Sequence, residues 1–149
     1  MRLTQFTDYS LRVLIYVAAH PEGRATIAQV ASSYGISENH LIKVAHFLGQ
    51  AGYLATSRGR GGGLRLARPA THINVGAVVR ETEGTDIPAA CFDAEAEPCP
   101  IDRICRLRGV LREAVQAFYA VLEHYTLEDL VFNRKRLRTV LLLPRTRAA

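Results

Sequence analysis

Three cysteines, Cys91, Cys99 and Cys105, are spaced C-x7-C-x5-C. An odd number speaks against a closed disulfide framework. Pro98 and Pro100 flank the middle cysteine, so the first two are expected on a loop without regular structure. Cys105 is expected in the first turn of a long helix capped by Asp102. There the helix dipole and Arg103, Arg106 and Arg108 favour its thiolate. Three convergent thiolates on a pliable loop suit an iron–sulfur cluster or a zinc ion, and leave a fourth coordination position for another ligand. Two further readings stay open on spacing alone: a thiol–disulfide switch, and three cysteines with no shared role.

A second group of residues could recognise nucleic acid. Ser37, Glu38, Asn39, His40 and Lys43 fall together on one predicted helix, and Asn, His and Lys side chains can reach base edges or phosphates in a major groove. A solvated polar helix face is the plain alternative. Nearby, the glycine-rich run Arg58-Gly59-Arg60-Gly61-Gly62-Gly63 lacks the Gly-Lys-Ser/Thr of a Walker loop and the glycine spacing of a dinucleotide fold. It leads into a strand, so its glycines, Gly61 among them, suit a hairpin tip brought close to a DNA backbone. Arg58 and Arg60 would then reach phosphate or minor groove. Asp8 and Arg12, four residues apart on a third helix, read by spacing alone as an exposed ion pair. No nucleophile with a positioned base and no general acid–base pair stands out, so no enzyme is expected.

The elements that must carry these groups are legible in the apolar spacing. Residues 5–19 predict an amphipathic helix, with Phe6, Val13, Leu14 and Val17 near one face. Thr26, with Gln29 three residues on, forms a capping box for a second helix that buries Ile27, Val30, Ala31 and Tyr34. Gly35 breaks it, and Ser37 caps a third helix running to about residue 52 on the stripe Leu41, Val44, Ala45 and Leu48. Two strands at 53–56 and 64–66 then form a hairpin, followed by a short helix at 74–83. The expected fold is mainly α with a small β-hairpin wing, a winged helix-turn-helix plus a long C-terminal dimerisation helix. That helix is expected over 102–125, where Leu107, Leu111, Ala114, Phe118, Val121 and Tyr125 make a heptad-like seam. A second copy is its expected cover. The predicted organisation is a DNA-binding domain at 1–83, a cysteine-bearing loop at 84–101, the dimerisation helix and a short terminal helix at 102–132, and a poorly ordered basic tail at 133–149.

Bulk properties fit this plan. The 149 residues carry a net charge of +5, concentrated in residues 1–80 with nine Lys/Arg against three Asp/Glu. A basic half of this kind admits nucleic acid as a partner. Residues 81–97, by contrast, hold six acids and no base. The longest apolar run, 13–19, is far short of a membrane span, and no signal peptide is read, so a cytoplasmic protein is expected.

Taken together, Phe6-Thr7-Asp8-Tyr9-Ser10-Leu11-Arg12, Ser37-x-Asn39-His40-Leu41-x-Lys43, the Arg58–Gly63 run, Cys105-Arg106-Leu107-Arg108 and Tyr125-Thr126-Leu127-Glu128-Asp129-Leu130 resemble the NsrR/IscR family of iron–sulfur winged-helix regulators. The resemblance covers residues 1–132. It implies a homodimeric repressor that binds double-stranded palindromic operator DNA. Its cluster, [4Fe-4S] rather than [2Fe-2S], would sense nitric oxide, and nitrosylation would release DNA and derepress nitric oxide detoxification genes. In the IscR branch a histidine ligand lies three residues after the last cysteine; Arg108 stands there in this chain. The nitric-oxide-sensing branch instead implies an aspartate ligand from the opposite subunit, matching Asp8, with Arg12 as its supporting partner. A carboxylate is a harder, more weakly held ligand for iron than thiolate, which leaves one iron open to a diatomic. A regulator of the same family that senses iron, cluster supply or redox state is the alternative. A cluster-carrying redox protein without a DNA role fits the basic first half less well.

Overall fold

The structure, a computed structural model, describes residues 3–57, 59, 62–84, 92, 97 and 99–142. Helix α1 (Gln5–Ala19) begins where the Thr4 hydroxyl accepts the Thr7 N–H, satisfying a first-turn donor. Its Val13, Leu14, Tyr16 and Val17 are buried, and the hairpin and several of the later helices pack against it. Helix α2 (Ile27–Tyr34) opens with the expected capping box: Thr26 Oγ1 accepts the Gln29 N–H at 3.2 Å while Gln29 Oε1 accepts the Thr26 N–H at 2.7 Å. Gly35, in the left-handed conformation, ends α2, and α3 (Glu38–Gln50) buries Leu41, Val44, Ala45 and Leu48 as its spacing predicts. On α2, Val30 and Ala31 are buried, whereas Ile27 and Tyr34 are only partly so.

Strands β1 (Leu54–Ser57) and β2 (Gly63–Leu66) pair antiparallel, Leu54 opposite Leu66 and Ser57 opposite Gly63. A 3₁₀ turn at Ala70–His72 leads to α4 (Val75–Glu83), capped by the Asn74 side chain, which accepts the Ala77 N–H. Then come a 3₁₀ turn at Asp102–Ile104, α5 (Arg106–Glu123), α6 (Leu127–Leu130) and α7 (Arg134–Leu141). The expected fold of helices with one hairpin wing is the observed one.

A main core formed by α1, α2, α3 and the hairpin is joined by a smaller one, in which Val75 and Val79 of α4 pack against Tyr119 of α5. The crossing of α4 and α5 is close. A Cβ on Gly76 would lie 2.5 Å from Glu123 Cγ and 2.9 Å from its backbone nitrogen, so only glycine fits. Asn74 Nδ2 donates to the Glu123 carbonyl, Arg80 pairs with the Glu123 carboxylate at 2.8 Å, and the Val75 N–H donates to the Tyr125 carbonyl. These contacts fasten the C-terminal end of α5. At its other end α4 is tied to α1: Thr4 donates to Glu83 Oε1 from both backbone and side chain, and Thr7 Oγ1 donates to Thr82 Oγ1.

Two expectations change here. The long helix starts at Arg106, not at 102, because Asp102 heads a separate 3₁₀ turn. The tail expected to be poorly ordered over 133–149 instead forms α7 over 134–141. Its Arg138 Nε donates to the Ala19 carbonyl at 2.6 Å, its Arg134 holds Glu128, and the Ser33 hydroxyl donates to the Leu141 carbonyl. Arg138 thereby satisfies an orphan carbonyl at the end of α1, which has no basic residue in its own last turn.

Candidate nucleic-acid interface and cysteine segment

Burial of the Leu41, Val44, Ala45 and Leu48 stripe fixes which residues α3 turns to solvent. Asn39, His40 and Lys43 are all exposed, as are Ile42 and His46, which the sequence reading did not single out. His40 stacks on Tyr9 of α1 with ring centroids 6.1 Å apart, and a shallow pocket between α1 and α3 is lined by Gln5, Phe6, Tyr9, His40 and Lys43. Ser37 occupies the position before the helix, but its side chain makes no capping hydrogen bond. Its carbonyl accepts the His40 and Leu41 N–H groups instead, and its exposed hydroxyl is available to a ligand.

The hairpin is locked beside this face. Ala25, just before α2, exchanges two backbone hydrogen bonds with Leu64 of β2, at 3.0 and 2.7 Å. Gly63, with φ +149°, makes that approach possible, since a Cβ there would meet the Ala25 carbonyl oxygen at 2.7 Å. An open groove between α3 and the hairpin is lined by Ile27, Ile42, His46, Thr56, Gly62 and Leu64. Arg58, Arg60 and Gly61, the expected wing contacts, lie outside the described residues.

Asp8 and Arg12 do form an ion pair, with Arg12 Nε 3.0 Å from the carboxylate and both side chains a little over two-fifths exposed. The Arg12 guanidinium also sits over the Tyr34 ring at 5.5 Å. Burial pushes the Tyr34 phenol up to about 12, against the opposing pull of Arg12. The pair therefore bridges α1 to the end of α2.

Of the three cysteines, Cys91 lies outside the described residues. Cys99 is exposed and Cys105 half-buried, and both are free thiols. Two successive turns join them, the first closed by the Asp102 N–H donating to the Cys99 carbonyl at 3.0 Å, and Cys105 stands at the N-cap of α5 rather than within its first turn. Asp102 does not cap the helix. Its carboxylate accepts Arg108 Nη1 at 2.6 Å, and the Arg108 guanidinium lies over the Phe92 ring. Arg108 Nε is buried with no hydrogen-bond partner among the described residues. Among the described residues no three His, Cys, Asp or Glu side chains converge to hold a metal, so Asp8, Cys99 and Cys105 are not brought together within one chain.

The apolar seam of α5 is divided. Tyr119 is buried and Phe118 packs against the same α4 cluster, together with Val115 and Leu122. Leu107, Val110 and Val121 are 62%, 60% and 60% exposed, and Ala114 is exposed with them. The N-terminal half of α5, which follows Cys105, therefore carries an uncovered apolar row.

Residues 3–133 match the Rrf2 family, described as an iron-dependent transcriptional regulator. The chain is 51% identical over 142 residues to the HTH-type transcriptional regulator NsrR of Bacillus subtilis (strain 168), covering 95% of this chain and 97% of that one. It is 47% identical to an NsrR of Halalkalibacterium halodurans, over 96% of this chain and 99% of that one. In structure it resembles CymR, the global cysteine regulator of B. subtilis, at a TM-score of 0.67 and 28% identity, covering 89% of this chain and 98% of that one. The fold is also that of T. potens IscR, at a TM-score of 0.73 and 24% identity, over 93% and 91% of the two chains. With a match spanning all but its ends, this chain belongs to the Rrf2 family of iron-dependent transcriptional regulators.

Proposed function

We propose that this protein is a homodimeric repressor that binds palindromic double-stranded DNA and responds to nitric oxide through an iron–sulfur cluster. The observation that carries the DNA reading is the face of α3. The core stripe holds Asn39, His40 and Lys43 outward, beside a hairpin bonded to the start of α2. In a major groove Asn39 and His40 would meet base edges, while Lys43 and the Ser37 hydroxyl would meet phosphates. Arg58 and Arg60, flanking Gly61 at the hairpin tip, would reach the neighbouring backbone or minor groove.

The chemistry of the donor set supports the cluster. Cys99 and Cys105 are unbridged thiols joined by two successive turns, and Arg108 Nε, buried and without a hydrogen-bond partner among the described residues, lies three residues beyond Cys105. An anionic group at these turns would supply an acceptor for the Arg108 Nε–H, which the Asp102 carboxylate on Nη1 leaves unpaired. Cys91, Cys99 and Cys105 would hold the cluster, favoured as [4Fe-4S] over [2Fe-2S], with Asp8 of a second copy as the fourth ligand and Arg12 steadying that carboxylate. When bound, the cluster supplies iron open to nitric oxide at the weakly held carboxylate position. Such a ligand would tie subunit orientation to the state of the cysteine segment, and hence to spacing between two recognition helices.

The test is an anaerobic titration. Freshly purified protein is expected to show visible iron–sulfur absorption and to shift a duplex selected from a random pool. Nitric oxide should bleach the absorption and release the duplex together. Protein without visible absorption, or DNA binding indifferent to nitric oxide, would remove the sensing reading; failure to select any duplex would remove the DNA reading.

A further inference from the structure

We infer that Ile42 is a specificity-determining contact, packing against thymine 5-methyl groups in the major groove. The inference rests on the DNA-binding reading of α3. Residues 39, 42, 43 and 46 follow i, i+3, i+4 and i+7 spacing, so they share the face opposite the buried stripe. Three of them, Asn39, Lys43 and His46, are hydrogen-bonding side chains, as a solvated or base-reading surface requires. Ile42 breaks the pattern. It is 51% exposed, and the groove it shares with Ile27, Thr56 and Leu64 stays open rather than closing over it.

Ile42 gives this groove an apolar edge on α3, framed by the polar Asn39, Lys43 and His46 and set in the basic half of the chain. The charge complements a polyanion. An α-helix of about 10–12 Å diameter fits a major groove about 12 Å wide. The apolar group that groove presents at a base edge is the thymine methyl, which distinguishes T·A from C·G where the hydrogen-bonding residues beside it do not reach. A branched aliphatic side chain between Asn39 and His46 is placed to cover it.

The probe is a duplex selected from a random pool by the anaerobically purified full-length protein, then resynthesised with single deoxyuridine-for-thymidine replacements that remove only the methyl group. For the wild type, affinity is expected to fall about fourfold at one or two positions in each half-site, the weight of one buried methyl group. Ile42→Ala should bind the thymidine and deoxyuridine forms equally, and Ile42→Val should keep most of the difference. Because Ile42 is half exposed, both variants should melt as the wild type does, which separates a lost contact from a lost fold. The assignment is overturned if no deoxyuridine replacement weakens the wild type, or if Ile42→Ala keeps the full penalty. Failure to select any duplex defeats the DNA-binding reading itself, a result distinct from a selected duplex that is indifferent to its methyl groups.

Discussion

Asp8 shows how one side chain supports two accounts that differ in cost. Paired with Arg12 at 3.0 Å and more than two-fifths exposed, it is an ordinary surface ion pair, worth at most about 1 kcal/mol. Yet Arg12 also lies over Tyr34, so whatever engages the Asp8 carboxylate bears on a contact between α1 and α2. If Asp8 of one copy completes the cluster of the other, Asp8→Ala should keep visible absorption close to wild type, since the three thiolates provide most of the binding energy. Its reaction with nitric oxide should change in rate, and its discrimination between selected and random DNA should weaken. Cys99→Ala and Cys105→Ala should lose the absorption altogether. Stopped-flow mixing with nitric oxide separates the accounts: an Asp8→Ala rate equal to wild type, with DNA binding intact, leaves Asp8 as a surface ion pair.

Among the secondary-structure elements, local rules succeeded for most partners within a few residues, although the Ser37 side chain makes no capping hydrogen bond at the start of α3. The Thr26–Gln29 capping box, the buried stripe of α3 and the hairpin can all be read from short spacings, because capping and periodic burial are short-range effects. Asp102 misled for the same reason. It is a good helix-capping residue, but Arg108 six positions away claims its carboxylate, and the helix waits until Arg106. Helix α7 was hidden because its basic composition reads as a tail, whereas its partners Ala18, Ala19 and Ser33 lie more than a hundred residues earlier. Of the candidate site, the residue types on α3 were legible but Ile42 was not, since an isoleucine on a predicted helix is ordinarily assigned to the core. The role of α7 can be checked directly. Arg138→Ala removes the donor to the Ala19 carbonyl at the end of α1 and should cost about 1 kcal/mol in urea unfolding, with α1 fraying at that end in hydrogen exchange. Unchanged stability would mean that the contact contributes nothing in solution.

At the scale of the whole molecule, one chain leaves its C-terminal arm half finished. Helix α5 is about 27 Å long and is fastened to α4 around Glu123 and Tyr119, while Leu107, Val110 and Ala114 face solvent toward its other end. Exposed large apolar side chains in a row on one helix mark an interaction surface. A second copy presenting the same row would cover it with two-fold symmetry. The division of the seam matters for how this is tested. Phe118 packs within the α4 cluster beside Tyr119, so a charge there would damage the fold of a single chain as well as any dimer. Val110 touches no core cluster, so Val110→Asp should leave thermal unfolding of the DNA-binding half intact while dissociating the dimer. Light scattering should then fall from two chains to one at micromolar concentration. The monomer should hold only one half-site, with the salt dependence of DNA affinity roughly halved because half the phosphate contacts are gone. If the wild type scatters as a monomer at micromolar concentration, or Val110→Asp remains a dimer with full salt dependence, the exposed row of α5 is not the interface. Asp8 could not then be delivered across it to the cysteines of a second chain.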